Sequence, residues 1–266
     1  MTMKRRAFLK TTVAAAGLTG AGVGTQSASV ADKAAVSNRS YFEIRSYTLK
    51  TPEKKALLDA YLRDAAIPAL NRLGIKAVGV FSEEKPGPNP VIYMVLPYTS
   101  LDQIAAASRL VSDEELQKAG ADYFGAPATD PVFERIESWL TQAFDGMPKM
   151  EVPAKGNQVY QLRIYESHGE KAGKKKVEMF NTGEIAVFKR VGLTPVFFGE
   201  TILGPRMPNL TYMLTFRDLE AKNQAWSAFG KDPEWIKLKT TPGFSDKEIV
   251  SHITNLMLVP APYSQI

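Results

Sequence analysis

The alternation of apolar and polar residues divides the chain into two similar series of elements. Alternating residues at 41–48 and 159–166 predict strands. After each strand, apolar residues at helical spacing predict an amphipathic helix that ends at Gly74 or Gly192. In the first series the remaining predicted elements are strands at 76–83 and 91–98, a helical region from Leu101 and a closing strand near 132–141. In the second series they are strands at 194–201 and 209–217, a helical region from Leu219 and a closing strand near 248–258.

The two series also resemble each other residue by residue. An offset of 118 places Arg45 on Arg163 and Tyr47 on Tyr165, and "IPALNRLGIKAVGVF" on "IAVFKRVGLTPVFFG". A slip of one residue then places Tyr93 on Tyr212. A period of this length is too long for a solenoid and predicts two copies of one domain. We place them at 41–145 and 159–260, joined by a linker at 146–158.

The order βαββαβ is that of the ferredoxin-like unit. The sequence therefore predicts an α+β fold in which two tandem ferredoxin-like domains form a pseudo-twofold α/β barrel. Each opening strand has one apolar face, with Phe42 and Ile44 in the first copy, and one polar face. We expect the apolar face to lie under the helices and the polar face to line the barrel interior. The polar face carries Glu43, Arg45, Tyr47, Gln161, Arg163 and Tyr165.

Residues 1–31 have the layout of a cleaved export signal. A basic start precedes a mildly apolar run rich in Ala and Gly, and small residues follow at 29–31. The stretch "KRRAFLK" resembles the twin-arginine signal, with Arg5 and Arg6 at the paired positions. The apolar run is too short for a lasting transmembrane helix. We expect a periplasmic or secreted protein that meets the membrane only during export, with a disordered mature N-terminus at 32–40.

Composition narrows the chemistry. The chain has no Cys, which excludes disulfides, thiolate metal sites and cysteine nucleophiles. The net charge of +5 falls to +1 without residues 1–31, so no basic surface favours nucleic acid. With two His and no cluster at metal-ligand spacing, we expect no metal site and no cofactor. The run "KKK" at 174–176 is expected to be a solvated helix start.

Arg45, Tyr47, Arg163 and Tyr165 are the candidate ligand-binding residues. A semi-buried arginine needs an anionic partner. Two interpretations stay open: ion pairs such as Glu43 with Arg45 or Glu200 with Arg163 brace the barrel, or the arginines bind a carboxylate or hydroxylated ligand beside the tyrosines. For catalysis, the candidates are Glu200 as a general base and His252 as an acid or base. Trp226 and Trp235 are expected to pack between helix and sheet.

Several stretches resemble the NIPSNAP family, within the dimeric α/β-barrel superfamily. They are "EIRSYTLK", "RLGIKAVGVF", "RVGLTPVFFGE", "PNLTYMLTFRDLE" and the two tryptophans that end in "DPEW", and they span nearly the whole chain after residue 40. The resemblance implies the tandem barrel fold and, for family members, proposed roles in membrane trafficking or as mitochondrial signals. It implies no agreed set of catalytic residues.

Two classes of function follow from these observations. The first is an exported binding or assembly module of unassigned activity, whose partners would be a small-molecule ligand and a second copy of the chain. The alternative is a cofactor-independent oxygenase, isomerase or lyase that acts on a small hydroxylated or aromatic compound, by analogy with the superfamily. The sequence leaves open whether the protein is an enzyme.

Overall fold

A computed structural model describes residues 38–156 and 158–266. The predicted export signal, with Arg5 and Arg6, lies outside the described residues, as does most of the segment 32–40. The described residues form eight strands, joined by helices or by loops. Their bounds are β1 Tyr41–Thr48, β2 Gly79–Glu83, β3 Val91–Tyr98, β4 Arg135–Ala143, β5 Val159–Glu166, β6 Thr194–Leu203, β7 Asn209–Phe216 and β8 His252–Pro260.

The helices fall between the same strands in the two halves of the chain, which we define as β1–β4 and β5–β8 with their helices. Their bounds are α1 Lys54–Tyr61, α2 Ile67–Arg72, α3 Leu101–Ser108, α4 Glu114–Ala119, α5 Ala121–Phe124, α6 Glu170–Met179, α7 Ile185–Val191, α8 Leu219–Lys231, α9 Pro233–Lys239 and α10 Asp246–Ile249. A π-helical turn joins α1 to α2 at Leu62–Ala66, and another joins α6 to α7 at Phe180–Glu184. Within the described ranges, no helix is long and apolar enough to cross a membrane.

The eight strands form one closed antiparallel barrel in the order β1-β3-β2-β8-β5-β7-β6-β4. In the first half β1 pairs with both β3 and β4, and in the second half β5 pairs with both β7 and β8. Two seams join the halves, β4 with β6 and β2 with β8. Closure leaves none of these eight strands with a free edge. The structure thus confirms a mixed α/β fold built around a barrel.

The local signals in the sequence positioned several element ends. Both opening strands have the predicted bounds. Gly74 and Gly192, just after the first helices, adopt positive φ angles of 77° and 85°, a conformation that glycine accepts without strain. Asp232 caps α9 by accepting hydrogen bonds from the backbone of Glu234 and Trp235.

The barrel interior is mainly apolar, which corrects the predicted orientation of the opening strands. Phe42 and Ile44 lie inside, in one cluster with Tyr160, Leu162 and residues of the six other strands. The faces that carry Arg45, Tyr47, Arg163 and Tyr165 instead lie under the helices: Tyr47 packs with α1 and α2, and Tyr165 packs with α6 and α7.

The physical reason is the difference in access to water. A closed barrel surrounds its interior on every side, so a charged group there would need all its partners within the interior. Under the helices, a long side chain such as Arg45 can bury its stem and keep its polar end near the edge of the sheet. Period two shows which residues share a face, but both faces of these strands are covered.

The strand register also corrects the alignment of the two halves. Arg45 on β1 lies opposite Met94 on β3, and Arg163 on β5 lies opposite Tyr212 on β7. Met94 and Tyr212 therefore occupy corresponding places, and the slip that placed Tyr93 on Tyr212 is wrong. An aliphatic side chain in the first half thus stands where the second half has an aromatic one.

The seam between β4 and β6 offers a test of barrel closure. Gly199 lies opposite Ala143, and a Cβ atom at Gly199 would come within 2.2 Å of Oγ1 of Thr141. We expect Gly199→Ala to lower the free energy of unfolding by about 1–3 kcal/mol, because the seam is already close-packed. Chemical denaturation measures the change.

Gly87→Ala is the matched control, because nothing lies within 4 Å of the Cβ atom that it would add. Combining Gly199→Ala with Thr141→Ala should recover part of the loss, because the clash involves both positions. Equal stability of Gly199→Ala and Gly87→Ala would contradict close contact at this seam.

Candidate functional site

Arg45 lies on the outer face of β1, beneath the helices of the first half, where two cavities meet. The first cavity has a volume of about 190 Å³ and the second about 340 Å³. Both are lined by Arg45, Tyr98, Ala107 and Ser108. The sheet supplies the two polar residues and α3 supplies the two small ones, so the cavities exist because α3 presents little side-chain volume here.

The first cavity has mainly apolar and aromatic walls, and the second holds the acidic group. Tyr47, Tyr61, Leu62, Leu70, Met94 and Phe124 are among the residues that line the first cavity. Glu43, Ile104, Ser138, Leu140, Leu203 and Gly204 line the second. Apolar walls with a few convergent polar groups are typical of small-molecule sites.

Arg45 and Glu43 form an ion pair at the junction of the cavities. Nε and Nη2 of Arg45 donate to Oε1 of Glu43 at 2.8 and 2.6 Å. Ser138 donates to the same oxygen at 2.8 Å, and the Tyr98 hydroxyl donates to Oε2 at 2.7 Å. The Arg45 side chain keeps 33% of its surface exposed, whereas Glu43 keeps 11%. The first of the two predicted ion pairs is therefore present.

The network fixes the charge of both partners. Burial alone would raise the pKa of Glu43, but the Arg45 charge and the hydrogen bonds from Tyr98 and Ser138 hold that pKa below its ordinary value. Burial would likewise lower the pKa of Arg45, but its neighbours Tyr47 and Glu43 raise it. Glu43 is thus a charged carboxylate held by three donor side chains, poorly suited to accept a proton from a substrate.

Tyrosine side chains supply aromatic surface and hydroxyl groups to the first cavity. Burial raises the pKa of Tyr61 to about 12. The Tyr61 ring stacks on Tyr123 with centroids 3.7 Å apart and planes inclined by 6°. The Tyr47 hydroxyl lies 3.5 Å from Nη1 of Arg45. The site therefore offers phenol hydroxyls and aromatic surfaces to a ligand, with one ion pair at its base.

The corresponding place in the second half is filled. The Arg163 guanidinium lies 4.6 Å from the centroid of the Trp226 ring and 5.3 Å from that of Tyr165. Nε1 of Trp226 donates to Oε1 of Gln161 at 2.7 Å. The predicted pairing of Arg163 with Glu200 is not formed, because Glu200 pairs with Lys174 at 2.7 Å. Trp235 is buried in the core between helices and sheet, and Trp226 is half-buried and packs against that core, as expected.

Lys176 is a buried residue that the sequence reasoning missed. Its side chain is 1% exposed, and Nζ lies 3.1 Å from both Glu184 and Asp246. Burial would lower the pKa of Lys176, but Glu184 and Asp246 raise it. The expectation of a solvated "KKK" is therefore wrong for its third lysine. The signal was available, because Lys176 shares a helical face with Met179 and Phe180, three and four residues on.

The other candidates lie apart from Arg45. His252 begins β8 and is exposed, and His168 is exposed in the loop after β5. Glu200 lines a groove of about 660 Å³ where β4 meets the second half, with Lys174, Asn181 and Gln142. Across residues 38–156 and 158–266, no three His, Asp or Glu side chains are grouped so that they could hold a metal ion. The described residues bring neither Glu200 nor His252 into the lining of the Arg45 cavities.

Comparisons with known proteins give a family and a fold. The NIPSNAP family model matches residues 42–124 and 160–265, most of the chain. Two solved structures, each described as a "putative monooxygenase", share the fold. The one from Fusobacterium nucleatum is 9% identical, with a TM-score of 0.57 over 84% of this chain and 92% of that one. The one from Lactobacillus acidophilus is 10% identical, with a TM-score of 0.55 over 84% and 94%.

A NIPSNAP-like domain protein from Burkholderia xenovorans is 18% identical and covers 41% of this chain and 90% of its own, with a TM-score of 0.37. No curated protein matches the chain.

The ion pair makes stability depend on pH in a defined direction. Because the pKa of Glu43 is lower in the folded state, its contribution is present above the pKa of the unfolded chain and is lost as the pH falls through the folded pKa. At pH 7, Glu43→Gln should lower the free energy of unfolding by about 1–3 kcal/mol. The difference in the free energy of unfolding between variant and parent should become smaller below about pH 4.5. Denaturation at several pH values measures it.

Glu200→Gln is the matched control, because its partner Lys174 is 71% exposed. That variant should change the free energy of unfolding by less than about 1 kcal/mol. If the difference in the free energy of unfolding between Glu43→Gln and the parent stays constant from pH 7 to pH 3, the carboxylate charge does not stabilise this site.

Proposed function

This chain belongs to the NIPSNAP family, and from that premise we propose that it is a binding protein that takes a small, uncharged organic molecule into the cavities beside Arg45. The observation that carries the proposal is the junction of two cavities at a hydrogen-bonded ion pair. The barrel interior, filled by Phe42, Phe81, Phe197 and their neighbours, is a packed core. The ligand site therefore lies under the helices of the first half.

Charge and size favour a small ligand without a net charge. Glu43 already neutralises Arg45, so an incoming carboxylate would have to compete with Glu43 or lie beside it. Cavities of about 190 and 340 Å³ fit a molecule of one or two rings, near the lower end of the range for small-molecule sites. Hydroxyls of Tyr47 and Tyr61 on the walls can donate hydrogen bonds to such a molecule.

The alternative function is a cofactor-independent oxygenase, isomerase or lyase. The fold shared with the two proteins described as monooxygenases fits that alternative, but at 9–10% identity it carries the fold alone. Glu43 is held by three donor side chains, and Glu200 and His252 lie elsewhere. Binding is the better-supported function, because the described residues that line the cavities include no carboxylate or histidine placed to act as a general base.

Three further features belong to the same proposal. The strand order within each half supports two tandem ferredoxin-like domains related by a pseudo-twofold axis. The pattern of residues 1–31 supports export by the twin-arginine route to the periplasm or beyond. A second copy of the chain is a further proposed partner, and sedimentation of the purified protein would test this association.

A blocked cavity tests the binding function. We expect at least one of phenol, benzyl alcohol and cyclohexanol to bind the full chain more tightly than benzoate does, measured by isothermal titration calorimetry. Ala107→Leu should weaken that binding at least about tenfold, because Ala107 lines both cavities. Ala105→Leu, on the exposed side of the same helix, should leave it unchanged.

Two results would reject this function. Either none of the uncharged probes binds, or the tightest one binds Ala107→Leu as it binds the parent. Oxygen uptake or conversion of a bound probe in air, measured with an oxygen electrode and by chromatography, would favour the enzyme.

A further inference from the structure

We propose that Trp226 of the second half occupies the place that the ligand takes in the first half. The ligand is then a planar aromatic molecule that carries an N–H or O–H donor, an indole or a phenol in its simplest form. This inference rests on the proposed function, because it names the class of molecule that the Arg45 cavities bind.

The strand register establishes which residues correspond. Arg45 and Arg163 lie opposite Met94 and Tyr212 on the neighbouring strands of their halves. Two residues earlier on the same strands and on the same faces lie Glu43 and Gln161. The two halves therefore present the same pair, an arginine and a side chain with an acceptor oxygen, towards their helices.

The helix caps establish the counterpart of Trp226. Ser100 caps α3 by accepting a hydrogen bond from the backbone of Gln103, and Asp218 caps α8 in the same way from Ala221. Trp226 is the eighth residue after Asp218, and Ser108 is the eighth after Ser100. Ser108 lines both cavities. The first half thus has a short side chain, and open space, where the second half has an indole.

Trp226 is held as a bound aromatic ligand would be held. The Arg163 guanidinium lies 4.6 Å from its ring centroid, and its N–H donates to Gln161 at 2.7 Å. The rings of Phe188 and Phe229 meet it edge to face, at centroid distances of 5.7 and 5.5 Å. Stacking on a cation and one hydrogen bond from the ring N–H define how this indole is recognised.

Smaller neighbours widen the corresponding place in the first half. Leu62 begins the π-helical turn of the first half and Phe180 begins that of the second half, so these two residues correspond. Eight residues later in each half, Leu70 corresponds to Phe188. Met94 and Tyr212 form the third pair, from the strand register. Leu62, Leu70 and Met94 line the first cavity, and their counterparts are Phe180, Phe188 and Tyr212.

Glu43 and Arg45 retain the capacity to recognise such a ring. Among the described residues, Oε2 of Glu43 receives one hydrogen bond, from Tyr98, so a second lone pair can accept from a ligand. A carboxylate accepts more strongly than the amide of Gln161 does. The Arg45 guanidinium lines both cavities and can stack on the ligand ring, as Arg163 stacks on Trp226.

Pairs of probes that differ in one property test the ligand class on the unmodified full chain by isothermal titration calorimetry. Indole should bind at one molecule per chain. 1-Methylindole, which has no N–H donor, should bind at least about tenfold more weakly. Cyclohexanol, which has no planar ring, should bind at least about tenfold more weakly than phenol.

Side-chain changes test the place of binding. Ser108→Trp should supply the first half with its own indole and abolish binding of added indole, whereas Ala105→Trp, exposed on the same helix, should leave that binding intact. Glu43→Gln reproduces Gln161 and should keep the preference for indole over 1-methylindole. Trp226→Ser should open the second half, so that indole raises the melting temperature of this variant more than that of the parent.

The outcomes separate the two proposals. Equal binding of indole and 1-methylindole, or of phenol and cyclohexanol, with Ala107→Leu still blocking, would overturn the aromatic-donor class and leave the binding function standing. Indole binding that survives Ser108→Trp would overturn the proposed place. Failure of all these probes to bind the parent would overturn both proposals.

Discussion

Exclusion of water from the barrel interior is the constraint on which the rest of this structure depends. The two seams close the sheet, and the interior takes the apolar faces of the opening strands, with Phe42 against Phe197 and Phe81 against Tyr160. The polar faces of the same strands must then lie under the helices. The location of the candidate site follows from this division, because Arg45 and Glu43 cannot be placed on the side where Phe42 and Ile44 are.

The space between helices and sheet is used differently in the two halves. The second half fills it with aromatic rings and with Lys176, whose charge is neutralised by Glu184 and Asp246. The first half fills it mainly with aliphatic side chains and some tyrosines, and leaves cavities beside Arg45. The same arrangement of strands and helices thus supports a dense core on one side and an accessible site on the other. Side-chain volume, rather than backbone topology, distinguishes them.

Much of the fold could be predicted from the sequence, whereas the position of the site could not. Period two located the strands, and Gly74, Gly192 and Asp232 positioned helix ends. Period two could not show which strand face is inside, because helices cover the outer face and both faces read as buried. The ion pair of Glu43 with Arg45 was among the expected contacts, since neighbours on one face of a strand can meet. The cavities depend on volumes summed over several elements, which no single segment shows.

The sequence shows a tryptophan at 226 and a serine at 108, but the significance of this difference could not be interpreted before the strand register was known. A tryptophan on an amphipathic helix is most simply read as core, and Trp226 does pack there. The helix caps and the strand register relate the two positions, and the stacking of Trp226 on Arg163 beside the open space at Arg45 gives that relation its meaning. Lys176 was missed for a similar reason. It lies on the same helical face as Met179 and Phe180, but its charge suggested a solvent-exposed position.

Because Trp226 fills the corresponding place in the second half, it also limits how binding can depend on the concentration of a ligand. With one open place per chain, occupancy of a single chain follows a simple saturation curve, and steeper dependence on concentration requires coupling between at least two places. Such coupling could arise only between copies of the chain. Under the proposed function, the indole of Trp226 makes this molecule univalent, because it fills the second of the two corresponding places.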